Sequence, residues 1–217
     1  MRIGVLALQG AFIEHEQILK ELGAECAELR KSSDLDKEVD GIVLPGGEST
    51  VQRKLLEELG MLETIKKKIQ QGLPVLATCA GLILLAESVS GQREARKTAL
   101  IEPRSLRGQA CFATLPVTVR RNAYGRQLGS FSSSANIRGL REEERPFPLE
   151  FIRAPYIESV CGGEEVEPIA VIEKLPDGSR GKNIVGVRYQ NQIGLAFHPE
   201  LVGDTRCHEM FLSMCHA

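Results

Sequence analysis

The sequence predicts an α/β fold: a single-domain three-layer sandwich in which a mostly parallel sheet carries an antiparallel extension. Three observations point to it. Residues 1–90 alternate short apolar runs with helical patterns, and alternation at this spacing implies parallel strands joined by crossover helices. The apolar runs are continuous, as strands covered on both faces require. From Leu115 onward, short β-rich segments follow one another with little helix between them.

Ile3 to Leu8 reads as the first strand, closed by Gln9-Gly10. Phe12, Ile18, Leu19 and Leu22 recur at helical spacing, and Gly23 stands where a C-terminal cap belongs. Glu25 to Leu29 fits a second strand and Gly41 to Leu44 a third, ended by Pro45-Gly46-Gly47. Ser49-Thr50-Val51-Gln52 fits a capping box with Ser49 as N-cap, and Leu55, Leu56 and Leu59 follow on one face. A further helix runs from Leu62 to Gln71 and stops at Gly72. Pro74 to Thr78 is a fourth strand, and Leu82 to Ala86 opens another helix. Residues 91–113 hold Arg93, Arg96, Lys97, Arg104 and Arg107 against Glu94 and Glu102 with no clear period, which reads as a basic surface insertion. The later strands are Val117 to Arg120, Ser130 to Ile137, Leu149 to Ile152, Ile169 to Ile172, Ile184 to Tyr189 and Gln192 to Phe197. Asn191 suits a tight hairpin between the last two. Asp204 to Cys215 closes the chain as a helix with Cys207, Phe211 and Met214 on one side.

At ~150 residues per domain, 217 residues allow one large domain or two small ones. Without internal repeats or low-complexity tracts, residues 1–217 read as one domain. Hydrophobic residues at 42% and charged residues at 26% exclude wholesale disorder. Lys plus Arg is 27 and Asp plus Glu is 29, so the basic excess that phosphate-backbone binding needs is missing and nucleic acid is not an expected partner. The cysteines at 26, 79, 111, 161, 207 and 215 lack zinc-knuckle or thioredoxin-like spacing, so no metal site is expected and the thiols read as reduced in a cytoplasmic protein. The first apolar run is too short for a signal peptide, and no segment approaches the ~20 apolar residues of a membrane span.

Three places combine special backbone with reactive side chains. Ala77-Thr78-Cys79-Ala80-Gly81 joins a strand to a helix, where a sharp turn exposes a nucleophile and the helix N-terminus favours a thiolate. An inert buried cysteine fits the same residues. Phe197-His198-Pro199-Glu200 follows a strand, and in extended chain His198 and Glu200 point the same way, the carboxylate fixing the imidazole tautomer. A strand-end histidine beside a surface glutamate is the plainer alternative. Pro45-Gly46-Gly47-Glu48-Ser49 offers backbone N–H groups of Gly46 and Gly47 to a bound oxyanion, as Ala80 can behind the nucleophile; an ordinary strand-to-helix turn also accounts for it. All three follow strands, so all face one crevice in an open sheet. Nucleophile, base with orienter and oxyanion donors are the parts needed for acyl transfer through a thioester.

The order of these segments resembles a known family. Gly4-Val5-Leu6-Ala7-Leu8-Gln9-Gly10, Leu44-Pro45-Gly46-Gly47-Glu48-Ser49-Thr50, Thr78-Cys79-Ala80-Gly81-Leu82, Arg121-Asn122-Ala123-Tyr124-Gly125-Arg126-Gln127, Phe151-Ile152-Arg153-Ala154-Pro155 and Phe197-His198-Pro199-Glu200 are similar to the glutaminase subunits of pyridoxal 5′-phosphate synthases, which are class I, triad-type glutamine amidotransferases. The resemblance covers nearly the whole chain. It implies hydrolysis of L-glutamine to L-glutamate and ammonia, with Cys79 attacking the amide and Glu200 holding His198 as proton shuttle. It further implies substrate contacts from Gly47, Glu48, Ser49, Arg121, Ile152 and Arg153. Arg121 and Arg153 have the bidentate chemistry for an α-carboxylate, although acidic residues of 141–150 are alternative partners for both.

The family's partner is the synthase subunit, to which ammonia passes directly and whose docking completes the oxyanion hole. Gln9-Gly10 is a candidate contact or a simple turn. No cofactor or metal is implied, since pyridoxal 5′-phosphate is the product of the complex. Two departures stand out: Ala77 replaces the elbow's usual glycine, and residues 91–113 exceed the compact connection of the family, reading as an exposed loop away from the crevice. A non-catalytic docking subunit and a different cysteine hydrolase are the competing readings.

Overall fold

A computed structural model describes residues 1–90, 111–121, 130–161, 163–174 and 180–216. Within them the chain runs β1 (Arg2–Leu6), α1 (Phe12–Glu21), β2 (Glu25–Leu29), β3 (Gly41–Leu44), α2 (Ser49–Glu58), α3 (Leu62–Gln70), β4 (Val75–Thr78), α4 (Ala80–Leu85) and β5 (Ala86–Ser90). It continues through β6 (Leu115–Arg120), β7 (Ser130–Ala135), β8 (Phe147–Ile152), β9 (Tyr156–Val160), β10 (Val166–Lys174), β11 (Arg180–Tyr189), β12 (Gln192–Leu195) and α5 (Arg206–Cys215).

The central sheet has seven strands in the order β10-β11-β12-β4-β3-β1-β2. From β12 to β2 every neighbour is parallel, and β11 and β10 extend the other edge antiparallel. β5-β6-β9 and β7-β8 form two smaller sheets. The inner parallel strands are short and covered, β3, β4 and β12 being buried at every position, while the edge strand β2 is partly exposed. This is the mixed α/β architecture that the sequence implies.

Register assigns the helices to faces. In β3, Gly41 and Val43 point one way and Ile42 and Leu44 the other. A side chain on Gly41 would run into Phe211 and Cys215, so α5 covers that face. Leu44 pairs with Ala77, which pairs with Gly194. Gly81 of α4 lies so close to Leu44 that a methyl would overlap its carbonyl oxygen, and Leu82 fills the space over Gly194. Thus α4 covers the opposite face. α1 joins α5 through His15 and His208, while α2 packs on α4 and α3 on α2. Three layers result.

Several local expectations are corrected. β1 ends at Leu6, two residues early. The helix expected from Leu82 lasts only from Ala80 to Leu85, because Ala86–Ser90 leaves to pair in parallel with β6. The weak β propensity of Ala-Glu-Ser-Val-Ser hid that strand, as the polar Tyr156–Val160 hid β9; both exist through their pairing with β6. Glu48 replaces Ser49 as N-cap of α2: its backbone is extended and its carboxylate accepts from the Thr50 N–H at 3.3 Å. Most of the 91–113 insertion lies outside the described residues. Its last part is not exposed, since Cys111 and Phe112 are core residues and the Phe112 and Thr114 N–H groups bond the Leu84 and Leu85 carbonyls. The Gln190-Asn191 hairpin forms as expected. Arg206 is an unforeseen core cation, paired with Asp204 at 2.7 Å and donating to the carbonyls of Glu142, Arg145 and Pro146.

The glycine contacts yield a direct check. Gly81→Ala should cost about 1–3 kcal/mol through overpacking against β3, whereas Gly181→Ala, whose methyl would meet only the Asn183 amide at ordinary contact distance, should stay within about 0.5 kcal/mol of the parent. Chemical denaturation of both variants measures the difference, and equal losses would contradict the packing described here.

Candidate active site

Four adjacent strands, in the order β12, β4, β3 and β1, end at one edge of the central sheet. Their following loops carry His198 and Glu200, Cys79, Gly46 to Ser49, and Gln9 with Gly10. Parallel pairing alone makes these loops neighbours. Gln9, Gly46, Gly47, Glu48, Ser49, Cys79, Arg121, Ile152, Arg153 and His198 line one crevice of about 350 Å³, a volume in the usual range for a small ligand.

Cys79 is the residue between β4 and α4, with φ 47° and ψ −98°. An L-residue pays for this conformation, which recurs where a nucleophile is held on a strained turn. Two bonds compensate: the Cys79 N–H donates to Leu195 O at 2.8 Å, and its carbonyl accepts from the Ile83 N–H at 3.4 Å. Ala77 is not among the left-handed residues and sits wholly buried in extended β4, so its methyl introduces no backbone strain at the elbow. The thiol is nearly buried and reaches Ile152 O at 3.9 Å.

His198 and Glu200 lie beyond β12, where a short 3-10 turn begins at Pro199. The His198 N–H donates to Glu150 O at 2.9 Å, and Nδ1 meets Glu200 Oε1 at 2.6 Å. Burial opposes charge on the imidazole, but hydrogen bonds with Cys79 and Glu200 outweigh it and raise its pKa to about 10. Burial likewise opposes ionisation of Glu200, yet His15 and His198 together hold its carboxyl below the usual value. Cys79, His198 and Glu200 are thus neighbours, but Glu200 reaches His198 from the 3-10 turn and not from the extended chain that the sequence suggests. Gly46 lies under His198 so closely that any side chain would overlap the ring.

The diglycine loop has a more specific role than its motif suggests. The Gly46 N–H donates to Thr78 Oγ1 at 3.0 Å, so it is not available to an oxyanion; that assignment of Gly46 is corrected. A Cβ at Gly47 would lie 2.6 Å from Gln9 Oε1 and 3.1 Å from the Gly10 Cα, which explains the need for glycine there. Ala80 is the first residue of α4, where backbone N–H groups lack intrahelical partners, and its buried methyl does not line the crevice. Ser49 is buried at the start of α2. Arg121 donates to Glu48 Oε1 at 3.1 Å and Thr50 Oγ1 at 2.7 Å. Asn122 to Gln127 of its motif lie outside the described residues. Arg153, at φ 46°, and the exposed Ile152 project at the crevice mouth.

Sequence reasoning missed three supporting residues. Gln52 is fully buried and donates to the carbonyls of Gln9 and Pro45, while Gln9 Oε1 accepts from the Glu48 N–H at 2.7 Å. His15 of α1 and His208 of α5 are buried behind Glu200. Each sits on a helix face turned inward, and their polar character at those positions was the available signal.

Comparison with known proteins agrees with this geometry. Residues 5–217 match the SNO glutamine amidotransferase family. The chain belongs to that family. It is 56% identical to the pyridoxal 5′-phosphate synthase subunit PdxT of Desulfitobacterium hafniense over 98% of this chain and 92% of that protein. It is 44% identical to the PdxT subunit of Bifidobacterium longum, over 97% and 99% respectively. A solved glutamine amidotransferase, 37% identical, superposes with a TM-score of 0.79 and 99% coverage of both chains.

The charge state of this family member's site should appear in its stability. His198 has a raised pKa, so its contribution is complete below about pH 6.5 and is lost as pH rises toward about 10. His15 and His208 have lowered values, so they penalise folding as pH falls below 6.5, where the unfolded chain takes up protons. Denaturation between about pH 6.5 and 8.5, below the range where the buried thiols of Cys26, Cys111, Cys207 and Cys215 add their own loss, should therefore show declining stability that flattens in His198→Gln. An unchanged slope in that variant would contradict the assignment.

Proposed function

We infer that this chain hydrolyses L-glutamine to L-glutamate and ammonia as the glutaminase subunit of a pyridoxal 5′-phosphate synthase, delivering the ammonia to a synthase subunit. The observation that carries the reading is the convergence of Cys79 and His198 in one crevice, with Glu200 bonded to His198 from behind, in a chain whose relatives are named PdxT.

In this reading the proton of the Cys79–His198 pair rests on the imidazole, where its raised pKa keeps it, and Sγ attacks the side-chain carbonyl carbon of glutamine as the thiolate. Backbone N–H groups of Gly47 and Ala80 receive the developing oxyanion. His198 gives the proton to the amide nitrogen as the C–N bond breaks, and ammonia leaves. Water, giving its proton to His198, then attacks the thioester and frees glutamate with the Cys79–His198 pair restored. Glu200 holds Nδ1 throughout and stabilises the imidazolium, without itself taking the proton. Commitment of the Gly46 N–H to Thr78 leaves the hole with few donors, which supports completion of the site by the partner subunit.

Glu48 and Arg121 place opposite charges at the same crevice. An amino-acid substrate presents a cationic α-amine and an anionic α-carboxylate, so this pair can exchange its mutual contact for both ends of the zwitterion. Gly47, Ser49, Ile152 and Arg153 complete the substrate contacts. The six cysteines are all unpaired, which supports work in the reducing cytoplasm.

The test is reconstitution with a synthase subunit while following glutamate release and pyridoxal 5′-phosphate formation. Glutamate release should fall at least about 1,000-fold in Cys79→Ala with assembly retained. Absence of release by the wild-type complex would overturn the reading. In the same assay Arg121→Met should raise KM for glutamine by about 10–100-fold with a much smaller change in kcat; an unchanged KM would remove Arg121 from the substrate contacts.

A further inference from the structure

Behind the Cys79–His198–Glu200 line, three more polar side chains continue into the core. His15 of α1 is wholly buried, with Nε2 3.4 Å from Glu200 Oε2 and 3.2 Å from Thr78 Oγ1. Its Nδ1 lies 2.9 Å from Nε2 of His208, which is equally buried on α5. Buried imidazoles are costly unless paired, and here two of them are lined up on the catalytic carboxylate.

Proton bookkeeping selects one arrangement. An ionised carboxylate only accepts, and Glu200 Oε1 is already engaged by His198. If His15 carried its proton on Nδ1, its Nε2 lone pair would face Oε2, and His208 would be left with an unpaired buried N–H at Nδ1. With the opposite tautomers, His208 Nε2–H donates to His15 Nδ1, and His15 Nε2–H is directed between Thr78 Oγ1 and Glu200 Oε2. Two atoms then have no hydrogen-bond partner among the described residues: the bare ring nitrogen at His208 Nδ1, and Glu200 Oε2, for which the His15 N–H at 3.4 Å is the facing donor. The donors run from His208 through His15 to Thr78 Oγ1, and the last of them faces Glu200 Oε2. Burial keeps both imidazoles neutral, lowering the pKa of each.

We propose that His15, locked in its tautomer by His208, is a positioning residue that holds Glu200 Oε2 so that Oε1 is presented to His198. The circuit also closes on itself. Thr78 Oγ1, which His15 touches, accepts the Gly46 N–H, and Gly46 is the floor on which the His198 ring rests. One imidazole thus sets both the carboxylate that orients His198 and the loop that limits its tilt. The proposal rests on Cys79, His198 and Glu200 being the catalytic line.

The test compares wild type, His15→Leu, His15→Gln and His208→Met, each assembled with a synthase subunit. The groups facing His15 are Glu200 and His198 from the turn after β12, His208 from α5, Thr78 from β4 and Glu14 on its own helix. Leucine fills the volume without a donor. It should lower kcat about 10–100-fold, keep KM for glutamine within about 3-fold, and move the acidic limb of the pH–kcat profile upward as Glu200 becomes easier to protonate. Glutamine can present an N–H near the Nε2 position and should recover most of kcat and return the limb toward wild type. His208→Met should shift the limb in the same direction by less. A parallel arm follows the pH dependence of Cys79 alkylation by iodoacetamide in each isolated chain, which reads the Cys79–His198 pair without turnover.

An unchanged kcat and acidic limb in a folded His15→Leu would overturn the proposal. So would a His15→Gln enzyme as impaired as His15→Leu at equal thermal stability. If His15→Leu does not fold, His208→Met and His15→Gln decide: a wild-type limb in His208→Met overturns it, and an upward shift with His15→Gln near wild type supports it. If the wild-type complex releases no glutamate, the glutaminase reading fails by itself, and the alkylation profiles still decide whether His15 positions the pair.

Discussion

Pairing of β12 alongside β4 is the constraint on which this molecule depends. Leu195 stands opposite Thr78 in parallel register, and the next residue after Thr78 is the candidate nucleophile. The Cys79 N–H then bonds Leu195 O, so the ladder that holds the two strands also sets the first residue beyond β4. A slip of one residue would reverse every side chain of β12 across the sheet and carry His198 with it. Both strands are buried throughout, which makes such a slip costly. The site is therefore a consequence of sheet register before it is a matter of side chains.

Strain and close approach then concentrate at that edge. Cys79 occupies a left-handed conformation, Arg153 another, and Gly10, Gly46 and Gly47 crowd together where β1 and β3 end. Gln9 and Gln52 brace the crowding from inside, tying the loop after β1 to the loop after β3. An open sheet with helices on both faces provides the rigid support that such loops need. Ala77 is tolerated for the same reason: the unusual dihedral angles belong to Cys79 alone, so a methyl one turn of pleat earlier meets ordinary strand geometry.

Three histidines around one carboxylate illustrate how environment divides chemical labour. His198 has a carboxylate on one side and a thiol on the other, and its pKa rises despite burial. His15 faces the far side of the same carboxylate and His208 lies behind His15, and burial prevails at both. Opposed shifts within one cluster are the pattern expected where an acid–base group stands beside neutral neighbours.

Local periodicity and composition determined much by themselves. Continuous apolar runs at Ile3, Gly41 and Pro74 specified the parallel strands, because a strand covered on both faces has no polar side to alternate. The turns after them marked the candidate loops, because glycine pairs and a cysteine before a helix leave few conformations open. Tertiary structure decided the rest. β5 and β9 exist through their pairing with β6, the Gly46 N–H is taken by Thr78, Glu48 caps α2 in place of Ser49, and Arg206 is buried by carbonyls from a distant loop. His15 and His208 looked like any helical histidines. A side chain's partner across the core depends on how whole layers stack, and neighbours along the chain carry no record of that.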